Sequence, residues 1–250
     1  VNIEKFLWDI KKIEIYSESL DNQKIIDFKK DDQRLFSVIK NHKLTSHLIN
    51  QLKKNKFLKF KKKINDYQLL KKNYSLVINC ESDNEITKKY FYKKIKKNYK
   101  SIAYTCIIEH EKFYRNNIAI QTFTKEGPIA FLPISDKETS VVYSLNGNQR
   151  NKVEDLIKKF NIKYKINKIN KINYFKLKSS NLRSYYYKNI LAFGDLLHKL
   201  HPLAGQGFNM SLRDIKELLR LIRIKKDNGL DLDSLICSDF EKNTKHKNYL

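Results

Sequence analysis

The sequence predicts an α/β fold in which helices and strands form layers and a mainly antiparallel sheet interrupts the layered unit. Strand and helix patterns alternate in the first hundred residues, and strand patterns dominate the middle. Near the carboxyl end, an apolar strand, a glycine-rich loop and a helix follow one another. The chain has 250 residues, enough for one large domain or two small ones.

Alternating and helical spacings define the elements of the first hundred residues. The helix at 42–55 places Leu44, His47, Leu48 and Leu52 on one face. A polar turn after the first strand indicates a hairpin. The predicted strands are 11–18, 34–41, 56–64 and 74–80, and the basic, aromatic segment 88–100 is interpreted as a solvated helix.

The middle of the chain is predicted to be an antiparallel sheet that is followed by helices. Its strands are 101–111, 116–124, 127–135 and 139–145, and a short helix covers 151–160. The repetitive segment 163–178 is interpreted as a linker or an edge strand. A buried strand at 190–193 precedes a helix whose apolar residues are Phe208, Leu212, Ile215, Leu219 and Ile222, and a last helix covers the tail after 228.

Composition restricts the classes of function. The net charge is +24, which suits a partner with phosphates or anionic lipid headgroups. Compositional drift towards Lys, Asn, Ile and Tyr explains it better, because the charge is spread along the chain. No apolar run reaches the roughly 20 residues of a membrane-spanning helix, and the start carries no secretory pattern. Three scattered cysteines without a CxxC pair indicate a reducing compartment.

The segment GDLLHKLHPLAGQGFNMSLRD, residues 194–214, holds three of the six glycines. An Asp at the end of a strand can accept hydrogen bonds from sugar or ribityl hydroxyls, and a helix start suits an anionic atom. Glycines let a ligand lie against the backbone. A tight loop that caps the helix is the alternative. A dinucleotide fingerprint lacks its third glycine, and a metal site at His198 and His201 lacks further ligands.

This segment resembles the second FAD-binding motif of the flavin-dependent aromatic hydroxylases, in particular the ubiquinone-biosynthesis hydroxylases, with the pattern G-D-A-A-H-x-x-H-P-x-A-G-Q-G-x-N-x-x-x-x-D. The segments FTKEGPIAFLPIS at 123–135 and VINCESDNEITKK at 77–89 resemble two further motifs of that family. The matching residues are Gly194, Asp195, His198, His201, Pro202, Ala204, Gly205, Gln206, Gly207, Asn209 and Asp214.

The resemblance implies a Rossmann-like FAD-binding domain, incomplete at its amino end, with an inserted substrate sheet like that of para-hydroxybenzoate hydroxylase. The implied segments are 1–41 and 101–178 on the substrate side, 42–100 and 179–225 on the FAD side, and a tail at 226–250. The implied cofactor-binding residues are Gly194, Asp195, Pro202, Gly205, Gln206, Gly207, Phe208 and Asn209. No catalytic residue is assigned and no metal is expected.

The resemblance also implies an oxidoreductase that uses FAD, NAD(P)H and O₂ to hydroxylate the ring of a polyprenylated phenol or quinol. The expected location is cytoplasmic, with peripheral contact to the inner membrane face, and other ubiquinone-biosynthesis proteins are candidate partners. Nucleic acid is not an expected partner.

Two departures from the family pattern keep other functions open. Glu81 and Ser82 stand in place of the family's Asp-Gly, and Glu85 and Lys88 replace its Ser and Arg, which puts nicotinamide handling in question. No GxGxxG, the element that holds the ADP part of FAD, occurs in the chain, so we expect truncation or loss of that element. A non-catalytic scaffold relative is one alternative. A nucleic-acid binder would explain the charge but not the glycine loop.

Overall fold

The computed structural model describes residues 3–31, 33–61, 74–147, 152–199 and 206–249. The chain divides into two compact units. The first unit comprises Val1–Phe60 and Lys100–Lys176, and the second comprises Lys61–Tyr99 and Leu177–Leu250.

Mixed α/β structure is confirmed by the observed elements. The strands are β1 Leu7–Ile10, β2 Lys12–Ser17, β3 Gln23–Lys29, β4 Phe36–Ile39, β5 Val77–Asn79, β6 Lys94–His110, β7 Ile118–Thr124, β8 Gly127–Pro133, β9 Glu138–Asn146, β10 Ile166–Ile169, β11 Asn173–Leu182, β12 Tyr186–Tyr187, β13 Ile190–Ala192 and β14 His198–Lys199. The helices are α1 Asn41–Lys53, α2 Glu85–Tyr90, α3 Val153–Phe160, α4 Gln206–Asp227 and α5 Ser234–Tyr249.

The core of the first unit is an antiparallel sheet with one parallel pair. Its strand order is β6-β9-β8-β7-β2-β3, β10 pairs with β6, and β2 runs parallel to β7. Buried and partly buried side chains alternate along β9, as expected for a strand with one face on the core. Helix α3 packs its apolar face against this core through Val153, Ile157 and Phe160.

The amino-terminal hairpin differs from the prediction in its second strand. The turn at Glu18–Leu20 leads into β3, which pairs antiparallel with β2. The predicted strand at 34–41 is present as β4, but it pairs with β1 in a separate two-stranded sheet. The sequence missed β3 because both of its faces are exposed, so no alternation of apolar and polar residues marks it.

The second unit contains a small sheet of order β12-β13-β5, in which β13 and β5 are parallel. The buried β13 residues and Leu197 join Phe240 of α5 in one core. In addition, β14 pairs antiparallel with β11 through Ser180–Lys199 and Asn181–His198. Both β6 and β11 contribute residues to the two units.

Two predicted elements are wrong. No strand occurs at 56–61, where the chain forms turns, and residues 62–64 of that prediction lie outside the described residues. The helix predicted at 88–100 ends at Tyr90, and β6 begins at Lys94. Strand pairing of β6 with β11 overrides the weak helix preference of this Lys- and Tyr-rich segment. The segment 163–178 forms β10 and part of β11, and β11 lies inside the sheet between β14 and β6.

Candidate functional site

The parallel strands β5 and β13 bring two motif-bearing loops to one edge of the small sheet. Ala192 lies opposite Asn79, and the Phe193 amide donates to the Asn79 carbonyl at 2.9 Å. The loops that start at Cys80 and Gly194 therefore leave the same edge of the sheet. Open α/β sheets bind their ligands at this edge, beyond the carboxyl ends of the strands.

A buried amide network fixes the loop after β5. The Asn79 amide nitrogen donates to the Thr87 hydroxyl at 2.9 Å, and its oxygen accepts from the Asn84 amide at 2.8 Å. Asn84 also caps α2 by accepting from the Thr87 backbone at 2.8 Å. The non-family residues Glu81 and Ser82 sit in this rigid loop with exposed side chains.

Lys88, which replaces the family's Arg, lies at the surface of α2. Its ammonium is 3.1 Å from Asp83, and both side chains are exposed. Surface ion pairs contribute little to stability. Two cation–carboxylate positions at this edge thus depart from the family pattern without a compensating buried contact.

The loop after β13 turns sharply at Gly194. This residue has a φ of +62°, a conformation that favours glycine, and the 3₁₀ turn Gly194–Leu196 follows it. Leu196 and Leu197 are buried and anchor the turn in the core. Asp195 between them is exposed, so its carboxylate faces solvent at the edge of the sheet.

A buried His–Asp pair joins the two ends of the motif. His198 Nε2 donates to Asp214 Oδ2 at 2.5 Å, and the two side chains are 1% and 3% exposed. Asp214 lies on the buried face of α4, one or two turns from Met210 and Leu218. Nδ1 of His198 is also buried, and no atom of the described residues bonds to it. The pair fastens β14 to α4 and so fixes both ends of the loop between them.

The sequence did not predict this pair, although it contained a signal. Asp214 falls in a helical series with Met210, Leu218 and Leu221, all of which are buried. An Asp in such a series needs a buried partner. The histidine at 198, within the same motif, was the obvious candidate.

Gly207 lies in the first turn of α4, where the fold itself does not require glycine. Its φ is not positive, and a β-carbon built there meets no described atom within 4 Å. Gln206 and Asn209 are exposed on the same turn. The backbone at 207 is therefore open to close approach by a ligand.

The exposed and buried faces of α4 are the reverse of those predicted. Met210, Asp214, Leu218 and Leu221 are buried. Phe208, Leu212, Ile215 and Leu219 are 43–58% exposed. The helix carries apolar residues on both sides, and the side that holds Asp214 packs inward because that carboxylate pairs with His198. Phe208, predicted to bind the cofactor, is exposed beside Gly207.

Part of the predicted site lies outside the described residues. This applies to Pro202 and Gly205, and also to His201. Of the predicted cofactor-binding residues, the structure describes Gly194, Asp195, Gln206, Gly207, Phe208 and Asn209. Within the described part of the chain, no three His, Cys, Asp or Glu side chains are grouped as a metal site.

The first unit has a separate polar cluster around Asn116. The Asn116 side chain is fully buried, and its oxygen accepts from Lys163 at 3.1 Å and from Tyr164 at 2.9 Å. Burial lowers the pKa of Lys163 to about 8. These groups bond to one another within the core, so the cluster has a structural explanation.

Comparison in sequence finds relatives that bear out the resemblance at 194–214. Over 181 residues the chain is 26% identical to the rat "Ubiquinone biosynthesis monooxygenase COQ6, mitochondrial" (Rattus norvegicus), a match that covers 55% of this chain and 38% of the relative. The chain thus spans about two fifths of the curated relatives that it matches. No family model matches the sequence.

Comparison of structures confirms the fold. The chain is similar to PqsL, a probable FAD-dependent monooxygenase from Pseudomonas aeruginosa, with a TM-score of 0.72 and 13% identity over 97% of this chain and 76% of that one. It is also similar to 2-methyl-3-hydroxypyridine-5-carboxylic acid oxygenase, with a TM-score of 0.69 and 10% identity over 98% and 71% of the two chains. The predicted hydroxylase-like fold is therefore correct.

Proposed function

We propose that this chain, a relative of the FAD-dependent monooxygenases of ubiquinone biosynthesis, forms the flavin-binding and substrate-binding parts of such an enzyme. The reaction is hydroxylation of the aromatic ring of a polyprenylated phenol or quinol. NAD(P)H is the proposed reductant and O₂ the oxidant. The sequence relatives and the fold support the reaction class.

One observation carries this proposal, the open backbone at Gly207. A glycine in a helix weakens it, and neither a positive φ nor a crowded β-carbon explains the residue here. The remaining reason for glycine is close approach by a body outside the described chain. A flat ring system at the helix start, where free backbone N–H groups face outward, fits that requirement.

The described residues fit the flavin half of FAD. Asp195 is exposed where a strand ends and can accept hydrogen bonds from ribityl hydroxyls. The backbone from Gln206 to Asn209 would hold the pyrimidine edge of the ring, because N–H groups there stabilise negative charge. No GxGxxG occurs in the sequence to hold the ADP half.

When bound, FAD supplies the redox chemistry and the activation of O₂, which no side chain provides. The chain's own residues then bind, orient and exclude water. Asp195 and Gly207 bind the cofactor. His198 and Asp214 act as positioning residues, since their buried hydrogen bond fixes the segments on each side of the loop.

Flavin titration tests the proposal. FMN and FAD are titrated into the purified chain, and binding is followed by quenching of flavin fluorescence, which needs no turnover. We expect saturable binding with similar affinities for the two flavins, because the ADP half has no GxGxxG partner. Asp195→Ala should weaken binding roughly ten- to a hundredfold through loss of a charge-assisted hydrogen bond, and Gly207→Val should abolish it.

A matched control separates binding from general surface effects. Asp231→Ala removes another exposed carboxylate from the second unit and should leave flavin affinity unchanged. The proposal is wrong if the parent chain binds neither flavin. It is also wrong if Asp195→Ala and Gly207→Val both keep the parent affinity in their folded fractions.

A further inference from the structure

The end of α1 and the turn after it display large apolar side chains to solvent. We define the α1 surface as residues 48–60 of the first unit. Phe57 is 85% exposed and Phe60 is 64% exposed. The aliphatic members are between 37% and 42% exposed, namely Leu48, Ile49, Leu52 and Leu58. Contiguous exposed apolar side chains of this size indicate an interaction site.

Lysines surround these side chains, and carboxylates are absent nearby. The stretch 33–65 contains no Asp or Glu, whereas Lys53, Lys54, Lys56 and Lys59 fall within the α1 surface. Many lysines elsewhere have acidic partners, such as Lys12 with Glu14 and Lys40 with Glu138. Within the described residues, none of the four lysines of the α1 surface forms an ion pair. Compositional drift explains a high lysine content but not this local lack of acids.

The α1 surface is held in place by local structure. Leu44 and His47 are half-buried, and the His47 ring packs edge-on against Phe6 with centroids 5.2 Å apart. The other apolar side of α1 is thereby left facing outward. After the helix, Asn55 Oδ1 accepts from the Phe57 amide at 3.0 Å, and the Asn55 carbonyl accepts from the Leu58 amide at 3.1 Å. These bonds form a turn that presents the Phe57 ring.

We propose that the α1 surface docks on a bilayer that contains anionic phospholipids. Phenylalanine and leucine side chains enter the boundary between headgroups and acyl chains, while the flanking lysines contact lipid phosphates. The Lys56 ammonium, 5.2 Å from the Phe57 ring centre, places a cation beside the most exposed ring. Among the described residues no helix is long and apolar enough to cross a membrane.

The aliphatic members favour a bilayer over nucleic acid as the occupant. Phosphates of nucleic acid would use the lysines, and bases could stack on phenylalanine. Leu48, Ile49 and Leu52 offer neither charge nor a stacking face, but they gain from burial in acyl chains. A bilayer therefore uses every part of the α1 surface.

Vesicle sedimentation tests this inference on the whole chain. The protein is spun with vesicles of phosphatidylcholine alone and with vesicles that also contain about a third phosphatidylglycerol. We expect binding to the mixed vesicles, weakened about fivefold for each lysine removed in Lys54→Gln and Lys56→Gln. The double variant Phe57→Ser/Phe60→Ser should lose at least tenfold in affinity. Because both rings are exposed, its melting temperature should stay that of the parent.

Tyr114→Ser is the matched control, since Tyr114 is 76% exposed beside Lys112 but lies outside the α1 surface. It should bind vesicles as the parent does. Absence of binding to the mixed vesicles overturns the inference. So does equal vesicle binding by the Phe double variant, which would assign the contact to charge alone, as for nucleic acid. The assay contains no flavin, so its result is independent of the proposed cofactor site.

Discussion

Two glycines in motifs shared with the flavin hydroxylases meet opposite physical demands. At Gly127 in the first unit, φ is +138° and an added β-carbon would lie 2.0 Å from the Ser144 carbonyl oxygen. At Gly207 in the second unit, φ is not positive and the β-carbon would meet open space. The first glycine is required by the strand that packs beside it. The second is not required by the described fold, which is why it indicates a ligand.

The same distinction runs through the 194–214 motif. His198 and Asp214 are buried and bonded to each other, so packing alone explains them. Asp195 is exposed and contributes nothing visible to the core. A motif thus mixes residues that build the loop with residues that use it, and burial separates the two groups.

The largest expected effect comes from breaking the buried pair. His198→Leu leaves the Asp214 carboxylate buried without a partner, and we expect the free energy of unfolding to fall by about 3–5 kcal/mol. Urea titration measures it. The double variant His198→Leu/Asp214→Leu should recover a large part of this loss, because the buried charge is then gone. A single variant as stable as the parent would show that the pair does not hold the loop.

Gly127→Ala should be the next most damaging change. A methyl group there meets backbone rather than a movable side chain, and the φ of +138° disfavours any L residue. The cost is about 3 kcal/mol, measured by chemical denaturation. Flavin affinity in the folded fraction should stay unchanged, since the glycine serves the sheet. A mild effect on stability would contradict the distinction drawn between the two glycines.

Gly207→Ala should give the smallest change in stability, and with the opposite sign. Alanine is the better helix former, so unfolding should cost up to about 1 kcal/mol more. Flavin affinity should nevertheless fall, because the methyl group occupies space next to the ring. Thermal melting without flavin and titration with FMN measure the two effects. Loss of stability, or unchanged flavin affinity, would remove the special status of this position.

Much of the fold could be predicted where one face of an element is buried. The strands from Ile118 to Asn146 alternate between core and surface, and α3 has a clear apolar face. Local patterns failed where pairing partners decide the structure. The stretch Lys94–Tyr99 has no apolar alternation, and it becomes a strand only because β11 pairs with β6.

The site was predictable in composition but not in packing. The motif spacing predicted the glycine loop between a strand and a helix, and the structure places Gly194 and Gly207 on those two sides. The inward face of α4 could not be predicted from hydrophobicity, because both faces are apolar. The choice depends on Asp214, whose burial is favourable only with a histidine from a distant strand opposite it.

The exposed apolar stripe of α4 has a consequence for how this protein behaves at high concentration. Phe208, Leu212, Ile215 and Leu219 together form a sticky strip, yet the net charge of +24 makes the molecules repel one another. Salt shortens the range of that repulsion, to about 10 Å at 0.1 M, and leaves the apolar attraction intact. Colloidal stability should therefore be highest in dilute buffer, and added salt should drive self-association rather than prevent it.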